Sequence, residues 1–251
     1  MSGHSKWHNI QAKKSVTDAK RGKIFTKIAR EIIVAAKEGG GDLDSNFRLR
    51  AAIDKANAAS MPKANISKAI QRGTGEIEGA TYEDALYEGY GPAGTAVIVE
   101  ASTDNKNRTI AEFKKMFSKN GGSLGEQGCV SWNFTRVGEI EVESAGKDMD
   151  ELFMTAADAG AEDISNEGEY FLVTTPPDKL HAVVTVVVEN GFKVLGSKLT
   201  YNPKTTVKVA GKDAEKVLKL QDDLEDHDDV QNVYSNFEMS EDEMERIAAN
   251  L

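Results

Sequence analysis

The chain has 251 residues, of which 39% are hydrophobic and 29% are charged, with a net charge of -10. This composition suits two or three modest domains and excludes a membrane protein or a disordered acidic tail; the longest apolar stretch, Val183 to Val188, is too short to span a bilayer. The single cysteine, Cys129, and the absence of an apolar segment of signal-peptide length at the N-terminus lead us to expect a cytoplasmic protein.

Charge is distributed unevenly along the chain. Residues 1–72 contain 15 Lys and Arg against 6 Asp and Glu, a net of +9, whereas residues 73–251 contain 16 against 35, a net of -19. A basic N-terminal part joined to an acidic body indicates that one end binds a polyanion while the rest repels it. For any single run of charge, the alternative interpretation is an ordinary solvated surface.

Three helices are predicted near the N-terminus. Residues 1–15 lack an acid and a sustained helical pattern, and we interpret them as a basic arm. From about Val16 to Lys37, apolar residues recur at helical spacing until a run of three glycines. A second helix is predicted from about Asn46 to Ala59 and a third from Pro62 to Arg72, which together make a small bundle.

Beyond an acidic connector at Glu76–Glu88, strand and helix patterns alternate. TAVIVEAS predicts a strand, a helix starts at DNKNRT, and CVSWNF alternates as a half-buried strand. The segment from EIEVES to about Leu199 has the order βαββαβ. TTVKVA, a helix from about Asp213 to Glu225, and DVQNVYSNF then form a second strand, helix and strand unit.

The two outer units bury their sheets only by joining, so we predict that the middle unit is inserted between them. The predicted fold class is α+β, an N-terminal three-helix module followed by two ferredoxin-like split-βαβ α/β domains, one discontinuous with the other inserted into it. The predicted boundaries are 1–15 for the basic arm, 16–75 for the helical basic domain, 76–136 plus 204–240 for the discontinuous domain, 137–203 for the inserted domain and 241–251 for a C-terminal tail.

Motifs that would indicate an enzyme or a metal site are weak. GYGPAG matches G-x-G-x-x-G but precedes a strand, which favours a flexible entry loop over a dinucleotide site. His4 and His8 do not complete a zinc site, and Cys129 is expected to be a buried thiol. The acidic run Asp222–Asp229 lacks the glycine of a calcium loop and favours a solvated helix end. We therefore expect no catalytic residue, no metal and no cofactor.

The strongest functional signal is a basic stripe on the first helix, opposite its apolar face. The basic stripe consists of Lys20, Lys23, Lys27, Arg30 and Lys37. Trp7 is expected to stack on a base or insert at a groove, and Asn9 and Gln11 are the arm residues suited to reading a base edge. The predicted nucleic-acid-binding residues are Lys6, Trp7, Lys13, Lys14, Lys20, Arg21, Lys23, Lys27, Arg30, Arg48, Arg50, Lys106 and Arg108.

The block TDNKNRT lies at a predicted strand-to-helix turn. Lys106 and Arg108 would meet phosphate there, close to exposed helix amides. A helix cap by Asp104 or Asn107 is an equally weighted alternative. The spacing leaves both interpretations open.

Motifs along nearly the whole chain resemble those of the YebC/PmpR family. They include GHSKWHNI, DAKRGKIFTKIAREI, MPKANI, RGTGE, YEGYGPAG, TDNKNRT, FSKNGG and DHDDVQ. The resemblance implies a helical N-terminal domain followed by two α/β domains, one of them discontinuous. Members are usually described as DNA-binding transcriptional regulators, while relatives including the mitochondrial translational activator of cytochrome oxidase subunit I act at the ribosome.

Two positions depart from the usual family pattern: His8, where a small residue is common, and Phe47, where proline commonly precedes the R-L-R run. We expect a non-enzymatic, DNA-binding transcriptional regulator whose acidic domains position it or bind a protein partner, with no membrane role. The alternative is a ribosome-associated translation factor that binds ribosomal RNA through the basic N-terminal module. The hypothesis that the protein is an enzyme would depend only on Cys129 and scattered acidic residues.

Overall fold

The computed structural model describes Trp7 and residues 18–248, without the side chains of residues 18–20, 241 and 248. The helices are α1 (Asp18–Gly39), α2 (Phe47–Ala58), α3 (Lys63–Thr74), α4 (Lys106–Lys119), α5 (Met149–Asp158), α6 (Leu180–Glu189), α7 (Gly211–Glu225) and α8 (Glu241–Ala248). The strands are β1 (Glu83–Tyr90), β2 (Ala96–Thr103), β3 (Ser123–Leu124), β4 (Phe134–Glu143), β5 (Asp163–Asn166), β6 (Tyr170–Thr175), β7 (Val194–Pro203), β8 (Val207–Lys208), β9 (Val230–Ser235) and β10 (Phe237–Glu238).

The described chain divides into two compact units. The smaller unit is Trp132–Thr205, and the larger unit contains the described residues on either side of it. The mixed α/β class with antiparallel sheets after N-terminal helices confirms the predicted fold class. Within the described residues, no helix is long and apolar enough to cross a membrane.

The larger unit begins with the α1–α3 bundle. Ile32, Leu49 and Ala56 are fully buried in its apolar core. Asn46 caps α2 by accepting a hydrogen bond from the Leu49 amide at 3.0 Å, and its side chain donates to the Ala35 carbonyl at 2.8 Å. Because one buried amide serves both helices, it fixes the angle at which the chain enters α2.

The larger unit also holds a four-stranded antiparallel sheet in the order β3-β1-β2-β9. Phe113 and Phe117 of α4 and Leu220 and Leu224 of α7 pack in the core beside it. Asn105 caps α4 by accepting from the Arg108 amide at 3.2 Å, so neither residue proposed for that role is the cap. Strands far apart in sequence thus complete one sheet.

Two strand predictions in this region are wrong. The segment taken as an acidic connector contains β1, whose carboxylates obscure the apolar alternation. CVSWNF is a turn as far as Val130, a 3-10 helix over Ser131–Asn133 and a strand only from Phe134, because the Glu88 carboxylate accepts hydrogen bonds from the amides of Gly128, Val130 and Ser131 at 2.8–2.9 Å. These hydrogen bonds hold the backbone in a turn.

The smaller unit carries a four-stranded antiparallel sheet in the order β5-β6-β4-β7, with α5 and α6 as its helices. This is the strand order of a ferredoxin-like βαββαβ domain. Ile140 and Val173 of the sheet pack with Leu152 of α5 and Val183 of α6 in a fully buried core. The predicted hairpin at Asn166–Gly168 joins β5 to β6, and the Asn166 side chain accepts from the Gly168 amide at 2.9 Å.

The segment 241–251, which we expected to be a tail, contains helix α8. Met244 and Ile247 are buried in a cluster with residues of α7 and β10. Their spacing of three residues places both side chains on one face of the helix, so this segment contributes to the core of the larger unit.

Candidate nucleic-acid interface

The basic stripe of α1 faces an acidic turn of the same unit. We call residues Glu225–Asp229, which join α7 to β9, the acidic turn. Lys23 Nζ lies 3.3 Å from the carboxylate of Asp226 and donates to its carbonyl at 3.3 Å. Lys27 Nζ donates to the carbonyl of Glu225. Lys23 and Lys27 of the stripe are therefore bonded to protein oxygens at the C-terminal end of α7, where the helix dipole is negative.

Asp229 is the centre of this contact. Its side chain is only 2% exposed and accepts hydrogen bonds from the guanidinium groups of Arg30 and Arg108, the latter at 3.0 Å. The Thr109 hydroxyl also donates to it, at 2.7 Å. One buried carboxylate thus joins the first helix of the bundle to the N-terminus of α4. The expectation of a fully solvated acidic run is wrong at this residue.

The pKa values around this contact are shifted by burial and by charge. Burial alone would raise the pKa of Asp229, but hydrogen bonds from Thr109, Arg108 and Arg30 outweigh it and hold the pKa below its ordinary value. The same contacts raise the pKa of Arg108. Burial lowers the pKa of Lys27, although the charges of the acidic turn oppose that shift. Asp229 is therefore ionised at neutral pH.

Beside Asp229, His227 and Glu112 complete a group of three side chains whose candidate ligand atoms lie within 4.8 Å of one another. The Nδ1 atom of His227 accepts from the Asp229 amide at 3.1 Å, so Nε2 carries the proton and donates to Glu112 at 2.6 Å. Because both ring nitrogens are occupied and two arginines contact Asp229, this group works as a hydrogen-bond network. It does not suit a cation.

An open cleft of about 660 Å³ lies at this junction in the larger unit. Its walls carry charges of both signs, with Lys23, Arg30 and Arg108 facing the carboxylates of the acidic turn. Such a mixed lining gives no uniform potential for a small anion or a small cation.

Four of the predicted cations that the structure describes outside this junction are also bonded to the protein's own oxygens. Arg48 binds the carboxylates of Glu38, at 2.6 Å, and Asp84. Arg50 donates to the Leu43 carbonyl at 2.6 Å and to the Asp44 carbonyl at 3.1 Å. Two further contacts are Lys37 to the Tyr82 carbonyl at 3.4 Å and Lys106 to Glu83 at 2.9 Å.

The assignment of Trp7 as an exposed stacking residue needs correction. Its side chain is fully buried in a cluster with Leu218 and Phe237, and its indole N–H donates to the Asp222 carboxylate at 3.0 Å. A buried indole finds both an apolar site and a hydrogen-bond acceptor here. In this conformation Trp7 anchors the chain to α7 and presents no ring face to a base.

Several predicted positions lie outside the described residues. They are His4, Lys6, His8, Asn9, Gln11, Lys13 and Lys14. The side chain of Lys20 is likewise undescribed, whereas Arg21 is exposed at the start of α1. The structure thus brings Lys23, Lys27, Arg30 and Arg108 together.

Asp229 and the acidic turn are the parts of this site that sequence reasoning missed. The acidic run was visible, but no local pattern relates it to a helix about 200 residues earlier in the chain. The only available signal was the opposite net charge of the two parts of the sequence.

Two protein-family models match this chain, one over its N-terminal part and one over most of the remainder. Residues 5–76 match the TACO1/YebC protein N-terminal domain, and residues 82–237 match the TACO1/YebC second and third domain. The chain belongs to the TACO1/YebC family. This confirms the resemblance on which the sequence-based expectations drew.

Other members of the TACO1/YebC family are similar over their full length. Proteins from Fervidobacterium nodosum and Thermotoga petrophila are 56% and 55% identical, and each alignment covers 100% of this chain and 99% of the relative. Both carry the name "Probable transcriptional regulatory protein". A conserved hypothetical protein from Aquifex aeolicus has a crystal structure that matches with a TM-score of 0.80 and 44% identity, covering 91% of this chain and 95% of that one.

Proposed function

We propose that this chain is a non-enzymatic, nucleic-acid-binding regulator of gene expression, and specifically a DNA-binding transcriptional regulator. The names of its relatives support a regulatory role. The observation that carries nucleic-acid binding is the stripe itself, where Lys23, Lys27 and Arg30 of one helix already bind carboxylate and carbonyl oxygens. Phosphate oxygens offer these side chains the same kind of acceptor with a full negative charge.

Binding through the stripe requires an exchange of partners. The acidic turn occupies Lys23, Lys27 and Arg30, so a phosphate must displace Glu225, Asp226 or Asp229 from them. The exposed pair Lys23–Asp226 is the easiest to exchange, because an exposed ion pair contributes at most about 1 kcal/mol. Arg30 is the hardest, because the buried charge of its partner Asp229 would be left with Arg108 as the one remaining cation among the described residues.

The acidic remainder of the chain limits how far a bound nucleic acid extends over the protein surface. Residues 73–251 carry a net charge of -19 and repel a duplex that extends beyond the helical bundle. We propose that the arm and stripe residues, from Lys6 to Arg50, contact one short stretch of backbone, whereas Lys106 and Arg108 contribute mainly by holding Glu83 and Asp229. This favours selective sites over broad non-specific coating of DNA.

Two opposed substitutions test the exchange. Asp226→Asn removes a competitor of phosphate and should raise affinity for a 30-base-pair promoter duplex by up to about fivefold. Lys23→Gln removes a cation and should lower affinity, reducing the magnitude of the logarithmic salt slope by about 0.9. Lys216→Gln, an exposed position on α7, is the matched control and should leave both quantities unchanged.

The nature of the ligand is decided by crosslinking in cells followed by sequencing of both DNA and RNA. Enrichment of promoter DNA supports the transcriptional assignment. Enrichment of ribosomal RNA without promoter DNA would overturn that assignment while leaving nucleic-acid binding intact, and the absence of both would overturn the proposed function.

A further inference from the structure

The outward side of α3 is a basic surface that differs from the stripe of α1. We define the α3 outer face as the exposed residues Lys63, Asn65, Ser67, Lys68 and Arg72. No Asp or Glu occurs between Asp54 and Glu76 in the sequence, so α3 carries three cations and no acid. Lys68 and Arg72 are one helical turn apart and lie side by side.

The cations of the α3 outer face have no carboxylate partner among the described residues. Lys63, Lys68 and Arg72 take part in none of the ion pairs or hydrogen bonds that hold the stripe. Lys55 of the preceding helix, by contrast, is paired with Glu31 at 2.8 Å. An anion can therefore bind the α3 outer face without first displacing a carboxylate of the described residues.

The surface is also held in place by its packing. Ile66 and Ala69 on the opposite side of α3 are buried in the bundle core. Gly73 brings α3 so close to α1 that an added Cβ would lie 2.5 Å from the Ile33 carbonyl oxygen and 2.6 Å from the Ala36 Cβ. Because the backbone is fixed by this contact, ligand binding requires ordering of the exposed side chains but not of the helix that carries them.

Neutral hydrogen-bond donors accompany the cations. Asn65 and Ser67 are both exposed on α3, Asn65 on the side of Lys68 and Arg72 and Ser67 on the side of Lys63, and Pro62 at the N-cap position provides no side-chain cap. Asn65, Lys68 and Arg72, spaced three and four residues apart, form a stripe of an amide and two cations that suits the repeated oxygens of a sugar-phosphate backbone. An acidic protein segment would match the charge, but it lacks the regular spacing of phosphates.

We propose that the α3 outer face is a direct contact surface for the sugar-phosphate backbone of nucleic acid, one that binds without rearrangement of the acidic turn. This inference rests on the proposed function and assigns part of the binding to a helix that the family description and the stripe do not single out. Its energetic basis is counterion release, which is not opposed here by a carboxylate of the same chain.

Charge reversal tests the proposal on the full chain. The variant K68E/R72E is compared with K114E/K115E, which makes the same charge change at exposed positions of α4. The probes are a 30-base-pair duplex DNA and a 30-nucleotide RNA hairpin, with fluorescence anisotropy measured at several salt concentrations. K68E/R72E should weaken binding of the preferred probe at least about tenfold and lower the magnitude of the salt slope by about 1.8 for duplex DNA, two contacts being lost. The affinity of the control should stay within about twofold of the wild type, because Lys114 and Lys115 belong to α4 and not to the α3 outer face, and salt screens their charges.

The outcomes separate this inference from the proposed function. If the wild-type chain binds and K68E/R72E retains its affinity and salt slope, the α3 outer face is not a contact surface and the inference fails alone. If the wild-type chain binds neither probe, both fail. Poly-glutamate that competes as well as a nucleic acid of equal charge would also overturn the inference. If circular dichroism shows that K68E/R72E does not fold, the single variants K68Q and R72Q replace it. Each should lower the magnitude of the logarithmic salt slope on duplex DNA by about 0.9.

Discussion

Arg30 on the first helix donates to the buried carboxylate of Asp229, 199 residues later in the chain. Their side chains are 13% and 2% exposed. This pair joins the helical bundle to the turn that leads into β9 in the sheet of the larger unit, and it also occupies a cation that the proposed function assigns to phosphate. The Arg30–Asp229 contact therefore affects both the stability of the fold and the proposed binding of phosphate.

Replacing Asp229 with asparagine should destabilise the protein by about 3 kcal/mol, because Arg30 would keep its buried charge without a counter-charge. Urea unfolding measures the change. Asp228→Asn alters the exposed neighbouring position and should stay within about 0.5 kcal/mol of the wild type. Equal effects of the two substitutions would mean that Asp229 is not the central residue of this contact.

The contribution of Asp229 should depend on pH. Its pKa in the folded protein lies below the ordinary value of 3.8, so the ionised group stabilises the fold above that pH. The contribution is lost as the pH falls through the lower, folded value. The gap in unfolding free energy between wild type and Asp229→Asn should therefore be constant from pH 7 to 5 and shrink below about 3.8. A gap that does not change down to pH 2 would contradict this.

Glu88 should control the loop that precedes β4. Its buried carboxylate accepts from the amides of Gly128, Val130 and Ser131, and Glu88→Ala leaves them without their acceptor at a cost of about 2 kcal/mol. Hydrogen exchange at these amides should accelerate at least about tenfold. Glu126→Ala, an exposed acid of the same loop, is the control, and comparable acceleration in it would refute the role of Glu88.

Two glycine substitutions should have opposite effects. Gly73→Ala places a Cβ 2.5 Å from the Ile33 carbonyl and should cost about 1–3 kcal/mol through overpacking of α3 against α1. Gly22→Ala in α1 meets nothing within 4 Å and should stabilise the helix by about 0.5–1 kcal/mol. Thermal unfolding checks both, and a neutral Gly73→Ala would show that the two helices are less closely packed.

The two tryptophans should differ in their fluorescence. Trp7 is fully buried, whereas Trp132 is 65% exposed. Trp132→Phe should leave a blue-shifted emission that acrylamide quenches poorly, and Trp7→Phe should leave a red-shifted emission that it quenches readily. If the emission of Trp7 is quenched as readily as that of Trp132, Trp7 is accessible in solution and its assignment as a base-stacking residue returns.

Much of the local structure followed from the sequence. The period of apolar residues in α1 placed its helix and opposed its basic and apolar sides, because a helix of 3.6 residues per turn separates such a pattern by itself. The strand and helix order from β4 to β7 was equally legible, since each element there has its own apolar period. β1 was missed because Glu83, Asp84 and Glu88 interrupt its alternation.

The chain's own sequence determined its fold class, the positions of most helices and the division between a basic N-terminal part and an acidic body. Only the tertiary structure decided that Trp7 is buried and that the basic stripe faces Asp226 and Asp229. Periodicity reports which side of an element is apolar, but it carries no information about which distant charge will face the polar side. That pairing depends on how α1 and the α7–β9 junction pack together. The same tertiary structure leaves the cations of the α3 outer face without carboxylate partners among the described residues.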